Sequence, residues 1–190
     1  MISLSFNNIV TKKYEEYAYV IDFIPRGRSI IIRGREGPIL QAIGEDRLTL
    51  LEILAVEDAE FQVGETICIG KQGRNKVVSV LGRLTYEELT SNAKSDLLNV
   101  LEKLVLNNEK RFVDYFNEFQ AVTPRLHALE LIPGVGKTFM LQIIKERDRK
   151  KFSSFSDIHE RSRLSDPAKL IAKRIVEEIT ENLHINLFVK

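Results

Sequence analysis

The stretch that most constrains this chain is Ile132-Pro133-Gly134-Val135-Gly136-Lys137-Thr138. Pro133 has no amide donor and pushes Ile132 out of the α region, so a helix carrying Leu126, Leu129 and Ile132 at spacing three must stop there. Thr123-Pro124 reads as the N-cap and first-turn proline of that helix. Beyond the turn, Phe139 or Met140, Ile143, Ile144 and Arg147 recur at helical spacing and predict a second helix. Gly134 and Gly136 are expected to supply positive φ and let another backbone come close. Val135 between them is expected to point inward and pin the two helices. The expectation is helix, a hairpin too tight for side chains, then helix.

Gly136-Lys137-Thr138 also matches the end of a phosphate-binding P-loop. That loop needs a glycine five residues before Gly136, where the chain has Leu131, and a buried strand where the chain has helical period. No nucleotide cofactor is therefore expected. Lying between two short helices, Pro133-Gly134-Val135-Gly136-Lys137-Thr138 resembles a helix-hairpin-helix nucleic-acid-binding motif. The resemblance implies that the hairpin amides and the start of the second helix grip a phosphate. The physics is general: unpaired N–H groups at a helix N-terminus, with the positive end of its dipole, form an anion site. Gly134, Val135, Gly136, Lys137 and Thr138 are the candidate contacts, with Lys145, Arg149 and Lys150 continuing the basic surface along the helix. The competing reading is a structural Pro-Gly turn.

A basic stretch, Arg147 to Lys151, leads to Phe152-Ser153-Ser154-Phe155-Ser156-Asp157-Ile158, where Ser153 or Ser156 is the expected N-cap of another helix. Asp166 and Pro167 then read as N-cap and first residue of a last helix, with Leu170, Ile171, Arg174, Ile175 and Ile179 in helical spacing to about Asn182. This half resembles a second, degenerate hairpin, in which Ser165-Asp166-Pro167 replaces the glycines and no phosphate is expected.

Length and charge set the frame. A chain of 190 residues with 44% hydrophobic and 29% charged residues can bury one large core or two small ones. It has no apolar run of 18 residues and no basic-then-apolar start, so a cytoplasmic protein without a membrane partner is expected. The single cysteine, Cys68, excludes an internal disulfide or a cysteine metal cluster and reads as packing. Net charge is −2 over residues 1–90, −1 over 91–120 and +4 over 121–190, so the positive excess lies on the hairpin segment.

Residues 1–13 read as a loose lead. Strand patterns follow at Glu16–Ile24 (ended by Pro25), Ser29–Arg33, Ile39–Gly44, Leu48–Val56, Glu65–Gly70 and Lys76–Leu84, separated by glycine turns. Five or six short strands over some seventy residues suggest a small closed β-barrel. Phe61-Gln62-Val63-Gly64-Glu65 resembles the turn that leads into a strand of oligonucleotide-binding (OB) barrels. Arg26, Arg28, Arg33 and Arg35 flank the strand junctions, while Tyr17 and Tyr19 share one strand face; basic groups with interleaved aromatics suit single-stranded nucleic acid. One or both tyrosines serving as core is the alternative.

Thr85–Leu89 reads as a capped turn. Ser91 to about Asn107 and Glu109–Phe119 read as amphipathic helices, the second with an aromatic stripe at Phe112, Tyr115, Phe116 and Phe119. The expected organisation is α+β: an OB-like β-barrel over 14–84, a helical connector over 85–120, and an all-α helix-hairpin-helix unit over 121–182. Barrel, connector, the run Thr123 to Lys137, Phe152 to Ile158 and Asp166 to Ile175 together resemble an archaeal family of unknown function. The resemblance implies an OB-like barrel paired with a helix-hairpin-helix unit, RNA as the favoured partner over DNA, and a place near the translation machinery. No reaction is implied. His127, His159 and His184 show no metal-ligand spacing, and Asp22 and Glu52 are carboxylates in strands without a spaced partner, so neither metal nor catalysis is expected. Two functions stay open: a non-catalytic nucleic-acid-binding protein, or a protein-interaction adaptor using the hairpin as scaffold.

Overall fold

The computed structural model describes residues 2–3, 14–181 and 183–190. The expected loose lead therefore lies outside the described residues apart from Ile2–Ser3. By its internal contacts the chain divides into two units, 1–100 with 178–190, and 101–177. The architecture is α+β, with an antiparallel sheet in the first unit and mainly helices in the second. No helix among the described residues is long and apolar enough to cross a membrane.

In the first unit, β1 (Ile2–Ser3) pairs in parallel with the late strand Ile185–Asn186. The principal sheet comprises β2 (Tyr17–Arg28), β3 (Glu36–Gly44), β4 (Leu50–Ala55), β5 (Thr66–Cys68) and β6 (Val77–Arg83), in the order β5-β2-β3-β4-β6. Every neighbouring pair in it is antiparallel. Ala18, Val20, Leu40, Ala42, Leu51, Ile53, Ala55, Ile67 and Ile69 line one face at period two and form a continuous core with Phe23, Phe61 and Val80. Tyr19, Ile21, Ile39, Ile43, Leu50 and Leu54, on the other face, are buried too. That face is tied to the segment after the sheet through Gln41, whose amide donates to the Glu88 carbonyl (3.1 Å) and accepts from the Thr90 amide (2.9 Å). Breaks of register at Val20/Asp22 and Ile24/Gly27 in the β2–β3 pair, and twice in β4–β6, add twist and curl the sheet. The curl makes a half-barrel whose order leaves β5 and β6 at its edges, not the closed barrel expected.

Two strand boundaries are corrected. β2 does not end at Pro25 but continues to Arg28, pairing Gly27 with Gly37 and Arg28 with Glu36. Pro25 falls within the register break, where no ladder donor is required. The strand expected at Ser29–Arg33 is instead a tight loop. The Glu52 carboxylate takes the Ser29 hydroxyl and the Ile30 and Ile31 amides, so those donors are satisfied away from any ladder. Asp22 likewise has structural partners, accepting from the Phe23 amide (2.9 Å) and the Thr90 hydroxyl (2.6 Å).

The expected capped turn is a single 3₁₀ turn at Tyr86–Glu88, closed by the Glu88 carboxylate on the Thr85 amide (2.7 Å) and hydroxyl (2.9 Å). Helix α1 (Ser91–Asn107) follows as expected, then α2 (Glu109–Glu118), which buries Phe112, Val113, Tyr115 and Phe116. The unit division falls inside α1.

In the second unit the helix expected from Thr123 is not formed. Residues 121–127 make a small antiparallel ribbon, β7 (Ala121–Thr123) with β8 (Leu126–His127), followed by a four-residue 3₁₀ turn at Ala128–Leu131. This part of the second unit is therefore not all-α. His127 is the reason the turn starts where it does: its Nδ1 accepts from the Leu129 amide (3.1 Å), while the Glu130 carboxylate accepts from the His127 amide (3.0 Å). A capped start at 127 displaces the Thr123-Pro124 start, leaving too few residues before Pro133 for α-helix. Helices α3 (Lys137–Arg149), α4 (Phe155–Ser162) and α5 (Pro167–Thr180) follow. The N-cap of α4 is Ser154, not Ser153 or Ser156. Its hydroxyl accepts from the Asp157 amide (3.0 Å), and the Asp157 carboxylate accepts from the Ser153 amide (2.9 Å). Asp166 accepts from the Lys169 amide at 3.3 Å, capping α5 with Pro167 first, as expected. Asn117 locks the α3–α4 link by pairing both backbone groups of Phe152, at 2.8 and 2.9 Å.

Candidate nucleic-acid interface

The turn before α3 is built by Pro133 and Gly134. The Val135 amide donates to the Ile132 carbonyl (3.0 Å), with Pro133 second and Gly134 third at φ +84°. This is the type II pattern, whose third position requires positive φ. A Cβ at Gly134 would also stand 3.4 Å from a Leu170 methyl. Val135 is 3% exposed and turned inward, as its position between glycines predicts. Gly136 is different from expectation. Its φ is −80° and ψ 178°, an extended conformation open to any residue, and a Cβ there meets nothing within 4 Å. Gly136 is the N-cap of α3, where a side chain with an oxygen would ordinarily fold back onto the first turn.

Among the described residues no side chain caps α3, and its first turn carries no acidic residue. The first intrahelical bond runs from the Met140 amide to the Gly136 carbonyl (2.9 Å). The amides of Lys137, Thr138 and Phe139 therefore have no carbonyl of their own helix to donate to. Gly134, Gly136, Lys137 and Thr138 are all exposed. Backbone donors, a dipole end and the Lys137 ammonium are thus presented together.

Along α3 the exposed positions Thr138, Leu141, Lys145, Asp148 and Arg149 recur at helical spacing and form one face. Lys145, Arg149 and Lys150 are exposed as expected, though Arg149 is paired with Glu146 at 3.3 Å. The basic run is only partly surface. Arg147 is buried and donates to the Phe116 carbonyl (2.9 Å). Arg161 donates to the Glu146 and Lys150 carbonyls at the end of α3, pairs with Asp157 (3.2 Å) and lies over the Phe152 ring at 4.5 Å. His127, behind the turn, is held below the usual imidazole value, first by burial and then by the nearby Arg147 charge. Its Nδ1 must be unprotonated to accept from Leu129, which places the ring proton on Nε2.

In the first unit Arg26, Arg28, Arg33 and Arg35 are all exposed around the β2–β3 connection, with Arg28 paired to Glu36 at 2.7 Å. Tyr17 is 43% exposed, but Tyr19 is 2% exposed and belongs to the core. Tyr19 is therefore withdrawn as a base-stacking residue; the face it shares with Tyr17 is covered from Tyr19 onward. The half-barrel brings together a set that no local pattern announced. Tyr14, Tyr17, Arg47, Lys71, Arg74 and Arg83 line one cleft of about 940 Å³ reaching from β5 to β6. Tyr14 is 71% exposed. Arg74 is partly committed, donating to the Ile69 (2.7 Å) and Gly70 (2.9 Å) carbonyls, while Glu15 and Glu16 temper the charge. Glu15 accepts the Asp46 (2.8 Å) and Arg47 (3.0 Å) amides, and burial raises its carboxyl above the ordinary value. The cleft was missed because its members are far apart in sequence and only the strand order makes them neighbours. Among the described residues no three His, Cys, Asp or Glu side chains gather as a metal site.

A family model described as a protein of unknown function (DUF655) matches residues 14–190. The chain belongs to the DUF655 family. It is 41% identical over 171 residues to the uncharacterized protein MJ0038 of Methanocaldococcus jannaschii, covering 90% of this chain and 77% of that one. Its fold is similar to the crystal structure of Af1531 from Archaeoglobus fulgidus, with a TM-score of 0.83 and 41% identity over 93% of this chain and all of that one. DUF655 members thus occur in at least two archaea, in keeping with the archaeal resemblance read from the sequence.

Proposed function

We propose that this protein is a non-catalytic nucleic-acid-binding protein that favours RNA over DNA, acts without a cofactor in the cytoplasm, and works near the translation machinery. In this reading a helix-hairpin-helix-like turn holds phosphate and an OB-like half-barrel meets bases. The observation that carries it is the bare start of α3: an uncapped helix end behind a Pro-Gly type II turn, with Gly136 leaving the approach open. Its helix-hairpin-helix character rests on that turn and on the inward Val135, since the leading helix is reduced to a 3₁₀ turn. The OB-like character is supported by strand order: β5-β2-β3-β4 repeats the four-strand Greek key, which five-stranded OB barrels use. The cleft from β5 to β6 supports base contact through Tyr14 and Tyr17 with Arg47, Lys71 and Arg83 around them.

The test is titration of a short single-stranded RNA, a structured RNA and a duplex DNA at several salt concentrations. The proposal expects RNA binding at least as tight as duplex DNA, with log Kd rising linearly with log salt as phosphate counterions are released. A clear duplex DNA preference contradicts the RNA assignment. The adaptor reading is favoured by one observation, Leu141 at 62% exposure in the middle of the α3 face; absence of salt-dependent binding to any nucleic acid would leave that reading standing.

A further inference from the structure

The loop joining β2 to β3 exposes three consecutive isoleucines. Ile30, Ile31 and Ile32 are 54%, 36% and 41% exposed. A loop that merely tolerated them would be loosely held, and this one is not. Glu52, 1% exposed, accepts the Ser29 hydroxyl, the Ile30 amide at 3.0 Å and the Ile31 amide at 3.4 Å. The Ser29 hydroxyl oxygen accepts from the Ile32 amide at 2.8 Å, and the loop is closed by Ser29 to the Arg35 carbonyl (2.9 Å) and Arg35 to the Ile32 carbonyl (3.1 Å). Ile31 is seated on Gly82, where any Cβ would stand 2.8 Å from its Cγ2. A buried carboxylate is costly unless its hydrogen bonds are made, so the loop is held in one shape by the group that most needs it. The Ile30 and Ile32 backbones belong to that frame, while their side chains stay exposed.

The surroundings state the charge of the partner. Residues 26–36 carry four arginines, Arg26, Arg28, Arg33 and Arg35, against Glu36, which pairs with Arg28 at 2.7 Å. Glu57 and Asp58 line the cleft beside Arg26 and Arg28, so the positive excess rests on Arg33 and Arg35 next to the isoleucines. An aliphatic tip between guanidinium groups suits a polyanion with an apolar interior. Stacked helical nucleic acid has both: phosphates for the planar guanidinium fork, and a base step that an isoleucine can part from the groove side. Branched aliphatics offer no π face, which disfavours stacking on isolated single-stranded bases. A membrane surface would call for interfacial aromatics, and the loop has none.

We infer that the β2–β3 loop is a wedge for helical nucleic acid, with Ile30 and Ile32 entering a base step beside a bulge or helix end and the arginines holding the flanking phosphates. This rests on the nucleic-acid reading and adds to it a second contact, with a helical rather than single-stranded element.

The experiment uses the full chain and an RNA hairpin with 2-aminopurine beside a one-nucleotide bulge. The parent should raise the 2-aminopurine fluorescence on binding, because unstacking relieves quenching. Ile30→Asn with Ile32→Asn, both exposed, should melt as the parent does, lose about tenfold in affinity, keep its salt dependence, and show no fluorescence rise at saturation, since a wedge is apolar work. Arg33→Ala with Arg35→Ala should lower the salt slope by about two ions while keeping the rise at saturation. An unchanged affinity and fluorescence rise in the isoleucine variant overturns the wedge, and so does a parent that binds no RNA. Isoleucine-dependent flotation with phosphatidylserine vesicles, without RNA unstacking, overturns it in favour of a membrane contact. Gly136→Glu separates the two proposals. Loss confined to Gly136→Glu removes the wedge and keeps the phosphate turn; loss confined to the isoleucine variant supports the wedge and removes the phosphate turn.

Discussion

Gly134 and Gly136 look equivalent in the sequence and are not equivalent in the fold. Gly134 at φ +84° closes a type II turn, whereas Gly136 at φ −80° is an open N-cap. Gly134→Ala should therefore destabilise the second unit by about 1 kcal/mol or more through backbone strain, while Gly136→Ala should leave its melting temperature nearly unchanged. Paired thermal melts check this, and equal losses would contradict the assignment. His127 gives a pH dependence of definite sign. Its folded value is depressed, so its contribution is fully present above the unfolded value of about 6.5 and is lost as pH falls through it toward the lower folded value. Urea titrations from pH 8 to 5 should show that loss in the parent and a shallower one in His127→Asn, which can still cap without titrating in this range. An identical slope in the variant would refute the role of His127. Nothing in the local pattern around His127 distinguishes a capping imidazole from a packed one; the Nδ1 contact with Leu129 decides it.

At the scale of elements, apolar stripes marked α1, α2, α3 and α5, but a stripe with a cap did not suffice at Thr123, where a ribbon and a 3₁₀ turn form instead. Ser91–Asn107 and the Pro167 start of α5 are where spacing and cap chemistry put them. The misreadings share one cause: a side chain distant in sequence, or one residue's cap, took over backbone donors that local propensity assigned elsewhere. Glu52 turned the Ser29–Arg33 strand pattern into a loop, and His127 moved the start of the turn before Pro133. For Tyr19 the structure decides for the core alternative, because both faces of the half-barrel are covered there, which a period-two pattern cannot reveal. Glu52→Ala leaves the Ile30 and Ile31 amides without their acceptor and should cost the first unit on the order of 1–3 kcal/mol. A denaturation midpoint equal to the parent's would show that the loop is not held by Glu52.

For the whole molecule, the sequence carried the α+β class, the strand-rich first part and the helical later part, because period two and period 3.6 separate cleanly near Tyr86. The unit division, which keeps residues 178–190 with the sheet, was not legible. Within that segment the Glu178 carboxylate accepts the Leu187 (2.7 Å), Phe188 (2.9 Å) and Val189 (2.9 Å) amides, a clamp with no signature in the local sequence pattern. The cleft lined by Tyr14, Tyr17, Arg47, Lys71 and Arg83 was hidden for the same reason. The central claim, that the bare start of α3 holds a phosphate, is tested most directly by Gly136→Glu. Because a Cβ at Gly136 meets open space at an ordinary φ, the variant should melt as the parent does. Its RNA affinity should fall by about 1.5–3 kcal/mol through loss of one charge-assisted backbone contact. A folded Gly136→Glu protein that binds RNA as tightly as the parent would contradict the account and make the turn a scaffold.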